Sequence, residues 1–195
     1  MSDRLTQQLN LLMELDKLKS VLRRTRVKSA EKRLENSAEH SWHVALMAIL
    51  MQEHANEDVD ITRVVKMLLL HDIVEIDAGD TFVYDVAASA EQEQKELDAA
   101  KRLFGMLPQD QGDELMSLWL EFESAQSADA KFGKALDRII PMLLNYHNDG
   151  QSWKEHGVTK QQALTVNRRI GDGSSVLWDK AQQMIEEAAE KGWLQ

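Results

Sequence analysis

Apolar positions along this chain recur every three or four residues and almost nowhere alternate one by one, so the pattern predicts helices throughout. Ser2 is placed to cap a first helix running to about Leu22, with Leu5, Leu9, Leu12 and Leu15/Leu18 near helical spacing. A second helix is expected to begin near Ala38 and to turn Val44, Met47, Leu50 and Met51 inward. Asp60 is a plausible N-cap for a third helix that stops before Gly79. Ser89 to Gln92 reads as a capping box for a fourth helix over 90–106, and Pro108 suits the first turn of a fifth that ends about Ser124. A sixth spans about 128–147, followed by a loop over 148–158. Thr159 to Gln162 forms a second capping box, for a helix to about Ile170, and a last helix runs from about Ser174 to Lys191. No repeat, low-complexity tract or linker interrupts the series, which predicts a single all-α domain over residues 1–195.

The third helix holds an anomaly. From Val64 to Ile76, nine of thirteen residues are aliphatic or Met, apolar enough for burial on all sides, yet His71, Asp72 and Glu75 lie among them. An unpaired buried carboxylate costs several kcal/mol, a large share of a domain's stability, so something must offset these charges. At about 100° per residue, Asp72 lies about 100° and Glu75 about 40° from His71, which brings all three to one corner of the helix. A neutral imidazole and a carboxylate are good ligands for a divalent first-row ion, whose charge would stabilise the anion.

Two adjacent ligands do not fill a coordination sphere. The start of the second helix offers His40 and His43, and the sixth helix offers Asp137 among Ala135, Leu136, Ile139 and Ile140. Pro141 removes the N–H that would bond the Asp137 carbonyl, a distortion beside a candidate ligand. A lone buried histidine is more often a hydrogen-bonded core residue than a ligand. Glu75, His40 and Asp137, each on an apolar helix, shift the balance towards metal. His43, Trp42, Trp119 and Phe122 read as packing residues, and Trp153, Trp178 and Trp193 as anchors of the last helices or of a subunit interface.

Charge narrows the partners. The net charge is −10, but residues 17–33 carry eight basic groups and one acid, net +7, leaving −17 on the remainder. Such an acidic body argues against binding along a nucleic-acid duplex. The basic segment is either a solvated helix end or a receiver for a small anion such as phosphate, with Arg23, Arg24 and Arg26 as the candidates to grip it. With no cysteine there is neither disulfide nor thiolate metal site. The apolar runs are too short to span a bilayer and the first residues lack a signal-peptide core, so cytoplasmic residence is expected.

Taken in order, His40 in "AEHSW", His71-Asp72 in "HDIVEIDAGD" and Asp137 in "ALDR" resemble the H…HD…D signature of the HD-domain metal-dependent phosphohydrolases. The longer stretches "ENSAEHSWHVALMA", "HDIVEIDAGDT" and "LWLEFE" are similar to the branch that contains 5′-deoxynucleotidases. The resemblance covers about residues 19–147 and leaves 148–195 as a C-terminal helical extension. It implies an all-α HD fold in which His40, His71, Asp72 and Asp137 ligate one divalent ion (Mn, Co, Fe, Ni, Zn or Mg), Glu75 serves catalysis and Asp80 is an acid on the substrate side. The implied activity is removal of phosphate from (deoxy)nucleoside 5′-monophosphates by an activated water, in a homodimer. Two departures bear on specificity. The segment before His40, "RRTRVKSAEKRLEN", has no tryptophan, and Arg138 follows Asp137 where the branch more often has lysine. Another small phosphate ester, a nucleoside triphosphate, or a non-catalytic metal-stabilised nucleotide sensor therefore remain alternatives.

Overall fold

The computed structural model describes residues 3–84 and 89–195. In chain order these form α1 (Arg4–Leu15), a hairpin of β1 (Leu22–Arg26) and β2 (Leu34–Asn36), α2 (Ser37–Met51), α3 (Ile61–Leu70), α4 (Glu75–Ala78), α5 (Ser89–Phe104), α6 (Gln109–Ser124) and α7 (Ala128–His147). Four further helices complete the chain: α8 (Gln151–Glu155), α9 (Lys160–Asn167), α10 (Ile170–Gly173) and α11 (Ser175–Glu190). The all-α expectation holds for the core. Asp60 caps α3 by accepting from the backbone N–H groups of Thr62 and Arg63, and the Thr159–Gln162 capping box opens α9. The expected caps at Ser2 and Ser89 rest on residues or side chains outside those described; α1 is capped by Asp3.

Three departures have local causes. The basic segment is not a helix end. After α1 the chain makes a 3₁₀ turn over Asp16–Ser20 and then the antiparallel hairpin, pairing Leu22 with Asn36 and Arg26 with Leu34. Its turn places Glu31 and Lys32 at φ 52° and 60°, a left-handed conformation usually signalled by Gly or Asn. Without those residues, and with arginines filling β1, the sequence carries no hairpin signal. Secondly, the 148–158 segment is not all loop. Gly150, at φ 64°, starts α8, and Asn145 Oδ1 accepts from the Ser152 N–H at 3.0 Å. Thirdly, α3 ends at Leu70, and His71–Val74 tightens into a 3₁₀ turn before α4. The straight wheel therefore stops applying at His71, since a 3₁₀ turn advances about 120° per residue.

Two apolar clusters build the interior. The larger joins Val44 and Ala48 of α2, Val64, Met67 and Leu68 of α3, Phe122, and Phe132, Leu136 and Ile139 of α7. Trp153, Ile170, Leu177 and Ile185 extend it, so residues 148–195 pack onto the same core. The smaller contains Leu11, Leu18, Ile73, Val74, Leu103, Phe104 and Trp119. The inner faces of α1 and α2 differ from expectation. Leu5, Leu9 and Leu12 are 51–63% exposed while Leu11 is buried, and Leu50 and Trp42 are 64% and 63% exposed. Leucines line both sides of α1, so periodicity alone does not choose which side packs.

Candidate metal centre

His40 comes from the second turn of α2, and that helix starts where Asn36 and Glu39 cap each other's backbone N–H groups. His71 and Asp72 open the 3₁₀ turn after α3, and Asp137 lies midway along α7. The side chains of His40, His71 and Asp72 bring one donor atom each within 4.8 Å of one another, all buried. Asp137 Oδ1 joins them, 3.0 Å from His40 Nε2 and 3.4 Å from His71 Nε2.

The tautomer of His71 is fixed by its surroundings. Nδ1 lies 2.7 Å from the carbonyl oxygen of Leu68, which can only accept, so the neutral ring carries its proton on Nδ1 and leaves the Nε2 lone pair for a cation that takes the place of a second proton. That Nε2 is buried and has no hydrogen-bond partner, although Asp72 Oδ1 is 2.9 Å away. A buried lone pair aimed at two carboxylates and a second imidazole is the donor set of a divalent cation, so these residues fit a metal ion. Two aromatic residues, one from each core, hold His71 in place. The Phe122 ring centroid is 5.2 Å from the imidazole, and Trp119 Nε1 donates to the His71 carbonyl at 3.2 Å.

Charge is balanced within the cluster. Burial opposes ionisation of Asp72, but His71 and Arg23 outweigh it and hold the carboxyl at about 2. Burial likewise opposes charge on Asp137, and the hydrogen bonds of His40 and His71 keep it well below the usual carboxylate range. Both imidazoles are disfavoured as cations by burial, yet their acidic neighbours raise His40 and push His71 well up. Glu75 behaves oppositely. Burial and the negative charge of Asp72 push it up to about 8, against the pull of Arg23. Its Oε2 accepts from Ser37 Oγ at 2.5 Å.

The three arginines named from the sequence separate. Arg23 Nη1 is 2.7 Å from Asp72, 3.6 Å from Asp80 and 3.8 Å from Glu75, while its Nε is 3.6 Å from Glu35. Arg26 pairs with Glu155 at 3.1 Å and stands outside the cavity. Arg24 is exposed and lines the cavity, which has a volume of about 270 Å³. His71, Asp72, Glu75, Asp80 and Asp137 share that cavity with Arg138 and Trp153. His43 stacks on Trp42, with ring centroids 5.9 Å apart.

Sequence reasoning passed over Glu35 and Ser37, and gave Arg138 no role in the site. Glu35 is buried on β2, and its Oε2 lies 3.6 Å from both Arg23 Nε and His40 Nδ1. Its only signal was that, with Glu31, it is one of two acids in the basic run before "NSAEH". Arg138 was in view as the neighbour of Asp137.

A family model described as "HD domain" matches residues 15–178. The curated 5′-deoxynucleotidase HDDC2 of Bos taurus is 36% identical over 136 residues, covering 69% of this chain and 64% of that protein. The Homo sapiens 5′-deoxynucleotidase HDDC2 is 34% identical, covering 69% and 65%. The chain thus spans somewhat less than two thirds of the length of these relatives. A crystal structure of a predicted metal-dependent phosphohydrolase from Magnetospirillum magnetotacticum MS-1 is 48% identical, with a TM-score of 0.91, covering 98% of this chain and 95% of that one. The ordered His, His-Asp and Asp donors, the helical frame that brings them together and the match over most of the sequence agree, and the chain belongs to the HD domain family.

Proposed function

We propose that the protein is a metal-dependent phosphohydrolase that removes the phosphate of (deoxy)nucleoside 5′-monophosphates. The observation that carries this reading is the convergence of two imidazole Nε2 atoms and two carboxylates at a cavity that also presents arginines. The HDDC2 relatives, 5′-deoxynucleotidases, and the Magnetospirillum protein, a predicted metal-dependent phosphohydrolase, support the same chemistry.

In this reading His40, His71, Asp72 and Asp137 hold one divalent ion, with Mn, Co, Fe, Ni, Zn and Mg all compatible with two imidazoles and two carboxylates. When bound, such an ion lowers the pKa of a coordinated water and polarises a phosphoryl oxygen. Arg23 keeps Asp72 ionised and oriented at 2.7 Å. Ser37 fixes one oxygen of Glu75, so the other is free to orient the attacking water or to hand a proton to the leaving ribose oxygen. Asp80 accepts a hydrogen bond from a sugar hydroxyl, and exposed Arg24 draws the anion to the cavity mouth. Nucleotide substrates agree with a cytoplasmic enzyme, and no helix among the described residues is long and apolar enough to cross a membrane.

The same reading includes a homodimer. Trp42, Leu46, Ile49 and Leu50 follow helical spacing along α2 and are 41–64% exposed, a stripe too apolar to be left in water without reason. A second copy of the chain is its occupant. Light scattering should give twice the chain mass, and Leu46→Glu should give the monomer.

The activity is tested by stripping the protein, reloading it with each ion and measuring phosphate release from nucleoside mono-, di- and triphosphates. Turnover of monophosphates with at least one metal is expected. Tight nucleotide binding with no turnover under any metal would instead identify a sensor.

A further inference from the structure

Most of the cations near the cavity are already committed. Arg23 faces four carboxylates at 2.7–3.8 Å. Lys134 Nζ donates to both oxygens of Glu123 at 2.9 Å and sits 4.2 Å above the Phe122 ring centroid. Arg26 is tied to Glu155 outside the cavity. Arg24 is an exposed side chain on a short strand, able to attract an anion but not braced to hold one.

Arg138 differs from all of these. It is half-buried and lines the same cavity as His71, Asp72 and Asp137. Among the described residues its guanidinium makes no hydrogen bond and has no carboxylate within ion-pair distance. Asp137, its neighbour in sequence, turns its carboxylate to His40 and His71 instead. Besides Asp137, the charged groups that act on it are Arg169 and Arg23, both cations, which add to the local positive field. A guanidinium left in this state lacks an anion.

Its backbone is well placed to receive one. Arg138 follows Asp137 on α7, a twenty-residue helix whose adjacent Leu136, Ile139 and Ile140 are buried in the core. One residue of helix separates the two Cα atoms by about 1.5 Å along the axis and about 100° around it. A metal ligand and a free guanidinium are thus fixed relative to each other by the same rigid element. A phosphate engaged at the donor cluster has oxygens left over, and a planar fork of N–H groups matches two of them.

We propose that Arg138 grips the substrate phosphate through two of its non-bridging oxygens and selects a terminal, dianionic phosphate monoester at this site. The assignment rests on the phosphohydrolase reading and names the residue that gives that site its hold on phosphate. Arg23 is then an internal counter-ion of the acids, and Arg24 an outer attractor. A phosphodiester carries one charge on only two non-bridging oxygens, so with one of them engaged at the donor cluster it leaves a single oxygen for the fork and fits it less well.

The test uses the full chain loaded with the metal that supports turnover. Inorganic phosphate is titrated into wild type, Arg138→Gln and Arg138→Lys by calorimetry, with metal content and thermal midpoint measured on the same samples. Arg138→Gln should weaken phosphate binding on the order of 10- to 100-fold, the range for losing charged hydrogen bonds. KM for a nucleoside monophosphate should rise in parallel while metal content is unchanged. Arg138→Lys should recover part of the loss, because it restores charge but not the fork. Wild type that binds phosphate and turns over, alongside Arg138→Gln with affinity within twofold, overturns the role of Arg138 and leaves the hydrolase reading intact. Wild type that neither binds phosphate nor turns over overturns both. If Arg138→Gln does not fold, unchanged phosphate affinity in Arg138→Lys overturns the bidentate grip.

Discussion

Replacing Arg23 with glutamine separates a structural counter-ion from a substrate ligand. The guanidinium is ringed by Asp72 at 2.7 Å, Glu35 and Asp80 at 3.6 Å and Glu75 at 3.8 Å, and these acid side chains are only 3–11% exposed. Removing one partner of a buried ionic cluster costs about 3–5 kcal/mol, because the remaining charges are left without compensation. Glutamine keeps a donor near Asp72, and Glu75, already pushed up to about 8, can take a proton, so the lower end applies. The expected loss is about 3 kcal/mol in chelator, a substantial part of the 5–15 kcal/mol typical of a domain. A divalent ion supplies positive charge next to Asp72, so saturating metal should recover part of the loss. Urea unfolding with and without metal, analysed at constant m-value, reads both quantities. A variant within about 0.5 kcal/mol of wild type, altered only in phosphate affinity, would refute this reasoning and return Arg23 to the role of substrate ligand.

Three further outcomes follow from the geometry. Glu75→Gln should bind metal as wild type does and lose on the order of 100-fold or more in kcat, the usual contribution of a general acid or base; full activity would remove Glu75 from the chemistry. Glu35→Gln should lower metal affinity about 10- to 100-fold, since Glu35 Oε2 faces His40 Nδ1 at 3.6 Å and sets the direction of that ring; a competition titration with a chelator would measure it, and an unchanged constant would reduce Glu35 to a packing residue. Gly173→Ala should destabilise by about 1–3 kcal/mol in thermal or urea unfolding, because a Cβ there would meet the Lys131 backbone oxygen at 2.2 Å; wild-type stability would mean that α10 and α7 separate more easily than their close approach implies.

Much of the centre is legible in the sequence. A histidine and two carboxylates in a segment otherwise fit for burial demand compensation, and His40 and Asp137, each flanked by apolar residues on its helix, stood out as further donors. Periodicity and capping residues also placed the start of α3, and α6, α7, α9 and α11, to within a few residues. These properties are local: they depend on side-chain spacing and on bonds between residues three or four apart.

What escaped depends on contacts between distant segments. The hairpin turns on two left-handed non-glycine residues that leave no mark in composition, and the 3₁₀ turn at His71 is fixed partly by the Trp119 indole on another helix. Leucines on both sides of α1 make its buried face a matter of what packs against it. The fate of each cation was likewise undecidable from spacing, since Arg23, Arg24, Arg26 and Arg138 are chemically identical. The sequence by itself determined that a cluster of polar side chains on apolar helices needs a compensating charge, which points to a metal-binding donor set, because burying them unpaired costs several kcal/mol. Only the tertiary structure decided which guanidiniums are consumed by carboxylates and which still face the cavity without one, because ion pairing is settled by distance in space.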